Sequence, residues 1–314
     1  MPVVRGKEEL TDEELEIYSR QIVLRDIGYK GQLRLRRARV CVVGLGGLGC
    51  PTATQLTAMG VGHLRLVDRD VVERSNFHRQ HLYTIDTIGY PKVEAAAKRL
   101  GELNPGVDIE ALTLSVNPDT SDEIVRGVDV VVDGLDSVEA RYAINRACLK
   151  HGVPYVFGAA IETFGNVSTF IPGETPCLEC LYHDLRDGVL PVCAVVGVHP
   201  SVLGIVSSLQ VSEAVRLVLG ERPRLAGKLL FVDVRNMSFD EFSLLQWPKC
   251  PVCGDGASEE AFPLRRRLIE EVCGRGGKRV FIVNPKDNLS LDIGGLYKLV
   301  RGKGAEVKAK ASLG

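Results

Sequence analysis

The sequence predicts an α/β protein with a doubly wound, mostly parallel sheet, and two observations lead to this class. Short β-branched segments alternate with segments of helical period along the first half of the chain. A run of glycines stands where the first predicted strand passes into a helix. With 45% hydrophobic residues, 25% charged residues and a formal net charge of -1, the 314 residues have the composition of an ordinary globular protein.

The chain starts with a polar segment and a predicted helical arm. Thr11-Asp-Glu-Glu14 is a capping box, which predicts a helix with Leu15, Tyr18 and Ile22 on one face and Arg20 near its end. The preceding residues have no apolar stretch of the kind that secretory signals carry, and we expect no apolar run long enough to span a bilayer. The protein is therefore expected to be cytoplasmic, with no membrane partner.

Four glycines mark the first strand-to-helix turn. Strand 39–43 leads into them and helix 50–59 follows, so backbone amides at this turn can cradle phosphate groups in a Rossmann-like half. Strand 63–68 ends on Asp68, about 20 residues past the glycines, where the acceptor for a ribose hydroxyl is expected. These features alone fit NAD, and a tight turn without a ligand is the simpler alternative. The glycines are Gly44, Gly46, Gly47 and Gly49.

Polar and cationic residues then follow in greater number than the two phosphates of a dinucleotide need, namely Asn76, Arg79, Gln80 and Lys92. A triphosphate would use them. With the glycines, the motif VDRDVVERSNFHRQ at 67–80 and the motif GYPK at 89–92 resemble the ubiquitin-activating superfamily, specifically its MoeB, ThiF and HesA members. The resemblance covers roughly residues 12–254.

This resemblance implies an enzyme, an adenylyltransferase that uses ATP and Mg²⁺. Its substrate would be the C-terminal glycine of a ubiquitin-fold sulfur-carrier protein ending in Gly-Gly, either MoaD-like, ThiS-like or an archaeal modifier. Pyrophosphate would be released, and the product would serve molybdopterin, thiamine, tRNA-thiolation or protein-conjugation pathways. The resemblance also implies a homodimer. The chain after the matching region is too short for the sulfurtransferase domain that some members append, so a separate sulfurtransferase is expected.

The resemblance assigns roles to the residues around the glycines. ATP would lie along the glycine turn with its ribose on Asp68, while Asp70, Asn76 and Gln80 would line the nucleotide site. Arg79 and Lys92 would meet the β- and γ-phosphates.

A second signature, Asp133-Gly-Leu-Asp136, lies between predicted strand 128–133 and predicted helix 137–151. Strand ends of this kind face the ligand crevice of a doubly wound sheet, and the resemblance implies that Asp136 holds Mg²⁺. Capping of the next helix is the alternative role for Asp136. The family usually has Asn at the next position, where this chain has Ser137. Arg141 and Asn145 are four residues apart, on one face of the predicted helix.

Two further residues take their roles from the resemblance. Arg20 would reach across the homodimer interface to the partner's triphosphate, and a solvated helix arginine is the alternative. Cys193 matches a cysteine that forms a covalent link to the activated carrier in some members and is dispensable in others. An exposed loop thiol without a function is therefore the alternative for Cys193.

Four of the nine cysteines form two Cys-x-x-Cys pairs, about 70 residues apart. Two such pairs can close a tetrahedral Zn²⁺ site that needs no further ligand, which predicts a structural rather than a catalytic metal. A disulfide framework or a redox motif is the alternative. The pairs are Cys177 with Cys180 and Cys250 with Cys253.

We divide the chain into four parts: an N-terminal helical arm, 1–38; a nucleotide-binding Rossmann-like half, 39–160; a carrier-binding half with a crossover loop and the zinc knuckles, 161–254; and a basic C-terminal extension, 255–314. The remaining predicted elements of the two halves are helix 90–103, strand 108–114, helix 119–126, strand 161–170 and helix 201–219.

The C-terminal extension is basic. From residue 261 it carries twelve Lys and Arg against five Asp and Glu, a formal charge of +7. Its pattern predicts a small α/β unit with helix 264–272, strand 278–283, helix 294–300 and strand 305–309. This unit could present basic charge to an acidic carrier or to RNA, or only pack on the rest of the protein.

Other functions remain open from the sequence alone. A Rossmann oxidoreductase that binds NAD, or a non-catalytic nucleotide-binding scaffold, would share the glycine turn. Adenylation of an RNA-like acceptor is a third possibility within the superfamily. The two cysteine pairs favour the carrier-activating branch, so a nucleic acid is not expected as a partner.

Overall fold

The structure is a computed structural model that describes residues 9–183, 185, 187, 196–255, 257, 264, 269–273, 279–283, 292, 295 and 298. Eight strands form one sheet in the order β3-β2-β1-β4-β5-β6-β7-β8. The first five, β1 (Arg39–Val43), β2 (His63–Val67), β3 (Asp108–Leu112), β4 (Val130–Asp133) and β5 (Tyr155–Ile161), pair in parallel. The others, β6 (Phe164–Phe170), β7 (Lys228–Asp233) and β8 (Ser238–Ser243), extend the sheet antiparallel. The predicted doubly wound, mostly parallel sheet is confirmed.

Helices cover both faces of this sheet. The first face packs against α3 (Gly28–Arg37), α4 (Gly49–Ala58), α5 (Lys92–Leu103) and α9 (Pro200–Leu219), and the second against α6 (Ser121–Val125), α7 (Val138–His151) and α8 (Leu178–Tyr182). Along β1, Val40 and Val42 belong to the first core, while Cys41 and Val43 belong to the second. This alternation follows from the two-residue period of a strand and explains why β1 reads as a continuous apolar run.

The N-terminal arm is broken where one helix was predicted. Thr11 caps α1 (Asp12–Ile17) with the expected reciprocal bonds to Glu14, at 3.2 and 2.7 Å, but α2 (Ser19–Ile22) is a separate turn. The break falls at Tyr18, whose buried hydroxyl accepts a 2.8 Å hydrogen bond from Asn104 Nδ2. Anchoring this side chain to another element outweighs continuation of the helix.

The region after β4 contains more strands than the sequence pattern showed. The predicted strand 161–170 is the second half of a hairpin, and β5 before it was missed, as were β7 and β8. β5 includes Gly158-Ala-Ala, which has low strand preference. A Cβ at Gly158 would lie 2.4 Å from the side chain of Gln210 on α9, so tight packing against that helix requires a glycine there.

The predicted helix 264–272 is wrong over its last residues. β9 (Ile269–Cys273) pairs antiparallel with β10 (Arg279–Val283), which confirms the neighbouring strand prediction. A strand forms only when a partner segment pairs with it, and the spacing of apolar residues within one segment does not reveal that partner. Of the predicted helix 294–300 only Gly295 and Lys298 are described, both helical, and the predicted strand 305–309 lies outside the described residues.

Helix α9 corrects the expectation that no apolar run could reach across a bilayer. Its 20 residues are long and apolar enough for that by length and composition. However, Val202 and Val206 pack in one buried cluster and Val211 and Ala214 in another, against the sheet and against α3 and α4. The apolar character of α9 is therefore that of a core helix.

Two glycine substitutions test the packing at the first turn. Gly49→Ala should destabilise the protein by about 3 kcal/mol, because its Cβ would lie 1.8 Å from the carbonyl oxygen of Gly44. Gly101→Ala is the matched control, since nothing lies within 4 Å of a Cβ at that helical position, and it should stabilise by about 0.5–1 kcal/mol. Urea unfolding measures both. Equal stabilities of the two variants would contradict the packing described.

Candidate functional site

The candidate site lies at the topological switch point of the sheet. Strands β2 and β3 lie on one side of β1, whereas β4 and β5 lie on the other. Val43 and Asp133, the last residues of β1 and β4, are register partners, and each is followed by a glycine. Ligands of doubly wound sheets bind in the crevice outside such a pair of strand ends.

The glycine turn and the segment after β4 approach each other through bare backbone. Gly44 has φ 85°, and a Cβ on it would lie 2.5 Å from the carbonyl oxygen of Gly134. A Cβ on Gly134 would lie 2.3 Å from the carbonyl oxygen of Gly44. Only glycine permits this contact. A Cβ on Gly46 would have no atom closer than 4.0 Å, so the turn has room there, whereas a Cβ on Gly47 would lie 2.7 Å from the side chain of Leu203.

Asp68 ties the turn to the end of β2. Its carboxylate accepts hydrogen bonds from the backbone N–H of Leu45, at 2.6 Å, and of Asp70, at 2.7 Å. Burial raises the pKa of Asp68, although the Lys92 ammonium opposes this. Each carboxylate oxygen has two lone pairs, so Asp68 keeps the capacity to accept from a ribose hydroxyl while it holds the turn.

Lys92 places a cation beneath the turn. Its buried Nζ donates to Asp70 Oδ2 at 2.9 Å. Burial lowers the pKa of Lys92, but the charges of Asp68 and Asp70 raise it more, so the pKa lies above its ordinary value and the ammonium stays protonated. The structure therefore brings together Asp68, Asp70 and Lys92, three of the residues predicted to line the nucleotide site.

The residues at 76–80 flank the glycines. The Oδ1 of Asn76 accepts from Glu73 N at 2.8 Å, which shapes the turn that carries the others. Arg79 donates to Ser75 O at 2.9 Å, and its Cδ would lie 3.5 Å from a Cβ on Gly47. Gln80 is 2% exposed, and its Oε1 has no hydrogen-bond partner among the described residues. Its Nε2 would lie 4.0 Å from a Cβ on Gly46, so the Gln80 side chain lies beside the glycine turn.

A buried ion pair fixes the segment after β4. Arg141 on α7 donates to Asp133 Oδ2 at 2.9 Å and to the carbonyl oxygen of Gly158 at 3.0 Å. Gln210 Nε2 donates to Asp133 O at 2.7 Å. Burial raises the pKa of Asp133, and the positive charge of the Arg141 guanidinium opposes this rise. The attraction between the two buried charges keeps the pair together. Sequence spacing showed Arg141 on the same helix face as Asn145, but it did not reveal the ion pair.

Asp136 is exposed in the crevice and does not cap α7. The N-cap is Ser137, whose Oγ accepts from Ala140 N at 3.3 Å, and no hydrogen bond or ion pair of Asp136 is recorded with any described residue. An exposed carboxylate three residues after the end of β4, at the switch point of the sheet, suits Mg²⁺, which is commonly held by one or two carboxylates together with substrate phosphates. Asp136 therefore fits this ion.

Arg20 lies on α2 and is exposed. Its neighbour Gln21 anchors the arm, donating to Gln32 Oε1 at 2.5 Å and to Met59 O at 3.0 Å. Within the described part of the chain, no recorded hydrogen bond or ion pair joins Arg20 to the glycine turn. Cys193 lies outside the described residues.

The four paired cysteines form one cluster. Their Sγ atoms all lie within 4.8 Å of one another, with Cys177 and Cys250 at 3.7 Å and Cys180 and Cys253 at 3.4 Å. Sulfurs bound tetrahedrally at about 2.3 Å from Zn²⁺ are about 3.8 Å apart, so the cluster fits this ion. The described cysteines are free, which removes the disulfide alternative for these four.

Helix α7 supports the first cysteine pair. Asn145 Oδ1 accepts from Leu178 N at 3.1 Å, and Arg146 makes two 2.9 Å bonds to the carboxylate of Glu179. Both partners lie between Cys177 and Cys180. Arg146 was missed from the sequence, because its partner lies 33 residues away.

Removal of metal tests the cysteine cluster. A strong chelator should lower the melting temperature of the wild type by about 5 °C or more, because binding free energy at such a site is folding free energy. Cys148→Ala, which removes a buried thiol outside the cluster, should keep this sensitivity, whereas Cys180→Ala should lose it. Stoichiometric release of zinc without a fall in melting temperature would contradict a structural site.

Comparisons with known proteins identify the family of this chain. The model of the ThiF family matches residues 18–252. The chain is 43% identical over 244 residues to the SAMP-activating enzyme E1 of Haloferax volcanii, covering 77% of this chain and 90% of that protein. It is 42% identical over 272 residues to the sulfur carrier protein adenylyltransferase of Thermus thermophilus, covering 84% and 98%.

The fold also has solved relatives. A crystal structure of E. coli MccB with succinimide matches with a TM-score of 0.68 and 21% identity, covering 78% of this chain and 75% of that chain. At this identity the likeness concerns the fold alone. The family match and the two sequence relatives show that this chain belongs to the ThiF family, as its motifs predicted.

Proposed function

We propose that this protein adenylates the C-terminal glycine of a ubiquitin-fold sulfur-carrier protein with ATP. The observation that carries the proposal is the pairing of two features at the switch point. The glycine turn is held by Asp68, which interacts with the buried Lys92 ammonium, and the exposed Asp136 lies two residues after Gly134, where the backbone meets Gly44. The relative named as an adenylyltransferase and the relative named as an activating enzyme support an enzymatic role. They do not favour an NAD oxidoreductase or an inactive scaffold.

Each site residue contacts a different part of the nucleotide or orders the site around it. Asp68 accepts from the ribose, Gly46 and Gly47 let the phosphates approach the backbone, and Arg79 with Lys92 neutralises the β- and γ-phosphates. Asn76 and Gln80 order the wall of the site, and Asp136 holds Mg²⁺, which when bound neutralises phosphate charge.

The chemistry then requires orientation rather than proton transfer. An oxygen of the carrier's terminal carboxylate attacks the α-phosphorus, the bond from that phosphorus to the bridging oxygen breaks, and pyrophosphate leaves with the electron pair. The attacking carboxylate is already ionised, so no general base is needed. The product is an acyl-adenylate on the carrier.

The four parts of the chain keep their proposed roles. Residues 39–160 bind the nucleotide and residues 161–254 face the carrier, although one sheet runs through both. Zn²⁺ in the cysteine cluster is structural. Cys193 remains a candidate for a covalent link to the carrier, with a loop thiol as the alternative, and the basic extension at 255–314 remains a candidate contact for an acidic carrier.

The cellular setting follows from the chemistry. Seven cysteines of the described residues are free, including the paired four, and we propose a cytoplasmic location because such thiols persist in reducing compartments. A separate sulfurtransferase would supply sulfur to the activated carrier.

Pyrophosphate exchange tests the activity. Incubated with ATP, Mg²⁺, labelled pyrophosphate and a Gly-Gly-terminated carrier from the same genome, the wild type should exchange label into ATP only when the carrier is present. Asp136→Ala should lower the rate by about 100-fold or more. Absence of exchange with every carrier would contradict the proposal and favour the scaffold or an RNA-like acceptor.

Complementation between subunits tests the proposed homodimer. We expect Arg20 to act on the partner's triphosphate, since it is exposed on an arm anchored through Gln21 and Tyr18. Arg20→Ala and Asp136→Ala proteins, each inactive, should recover up to about one quarter of wild-type activity after mixing, because random hybrids carry one intact site of two. Arg37→Ala, an exposed arginine at the end of α3, is the control and should stay active alone. No recovery in the mixture would contradict a shared site.

A further inference from the structure

The N-terminus of α7 carries an unusual cap from a distant residue. Asp187 accepts from Ser137 Oγ at 2.7 Å, from Val138 N at 2.7 Å and from Glu139 N at 3.3 Å. With Ser137 Oγ already accepting from Ala140 N, the first donors of the helix are all satisfied. The cap lies directly after Asp136 in the chain.

Aspartates at other strand ends in this protein behave differently from Asp136. Asp68, Asp133 and Asp233 each accept from the backbone N–H two residues further on, at 2.7, 2.8 and 2.8 Å. This is a common local bond of aspartate side chains. The corresponding donor for Asp136 is the N–H of Val138, which Asp187 occupies.

We propose that Asp187 is a positioning residue that keeps the Asp136 carboxylate free to hold a divalent cation. By satisfying the N–H groups of Val138 and Glu139, Asp187 removes the local donors that would otherwise draw the Asp136 side chain back onto its own helix. One carboxylate cannot both cap the helix and bind a cation well. In this protein Asp187 caps the helix, which leaves Asp136 to bind the cation. This inference rests on the proposed role of Asp136.

The test measures how nucleotide affinity depends on the cation. Binding of a fluorescent, non-hydrolysable ATP analogue is titrated with Mg²⁺, and Mn²⁺ binding is followed by electron paramagnetic resonance. In Asp187→Ala, the Mg²⁺ concentration that gives half of the maximal increase in analogue binding should rise about five- to tenfold. This factor is what one competing capping hydrogen bond would cost. Affinity for the analogue without Mg²⁺ should not change.

Two variants separate positioning from general stability. Asp187→Asn keeps an acceptor oxygen for Val138 N and should stay within about twofold of the wild type. Asp122→Ala is the matched control at the other end of α7, where Asp122 contacts Lys150 at 2.6 Å and His151 at 3.0 Å. It should lower the melting temperature without shifting the Mg²⁺ dependence.

The outcomes are distinct. An unchanged Mg²⁺ dependence in Asp187→Ala, or an equal shift in Asp122→Ala, would overturn the inference while leaving the proposed function intact. If Asp136→Ala abolishes the Mg²⁺ effect and adding Asp187→Ala changes nothing further, the positioning role through Asp136 is supported. If Asp136→Ala leaves the Mg²⁺ effect intact, the cation role of Asp136 and this inference both fail.

Discussion

The close approach of two bare backbones, at Gly44 and Gly134, is the constraint on which the rest of this site depends. A methyl group at either position would meet the other's carbonyl oxygen at 2.5 Å or less. Without side chains there, the glycine turn after β1 and the segment with Asp133 and Asp136 at the end of β4 lie in direct contact. Gly44 N donates to Val67 O and Gly134 N to Val43 O, both at 2.7 Å, so the contact is also tied into the sheet. The sheet therefore holds the Lys92 ammonium, the glycine turn and Asp136 close to one another.

Helix α7 connects this surface to the cysteine cluster. Its first residues follow Asp136, Arg141 in its next turn holds the end of β4, and Asn145 and Arg146 hold the backbone and the acid between the first two cysteines. A metal bound by the four cysteines would therefore support the crevice through a single element, α7. This gives a physical reason for a metal site in an enzyme whose chemistry does not use it.

Local patterns predicted much of the fold and of the site. Apolar β-branched runs predicted the strands β1, β2 and β4, and the two Cys-x-x-Cys pairs predicted the cluster that the four cysteines form. The roles of Asp68, Lys92 and Asp136 in binding ATP and Mg²⁺ stay predictions. The errors share one cause, which is dependence on a distant partner. Tyr18 interrupts a helix because Asn104 binds it, and 269–273 is a strand because 279–283 pairs with it.

The supporting residues of the site were hidden for the same reason. Gln210 binds the end of β4 although the two are 77 residues apart in the sequence. Asp187 caps α7 although it is about 50 residues from the start of that helix in the sequence. Neither belongs to a local motif, so only tertiary structure reveals what each one does. By contrast, Gly44 and Asp68 act within a strand-to-helix unit whose spacing is visible in the chain.

A crystal structure with Mn²⁺ and a non-hydrolysable ATP analogue would test directly whether the glycine turn and Asp136 form one nucleotide and cation site. We expect the triphosphate along 44–49 with its ribose at Asp68, and an anomalous Mn²⁺ peak beside Asp136. A nucleotide bound elsewhere, or a triphosphate at the glycine turn with the Mn²⁺ peak away from Asp136, would contradict this expectation.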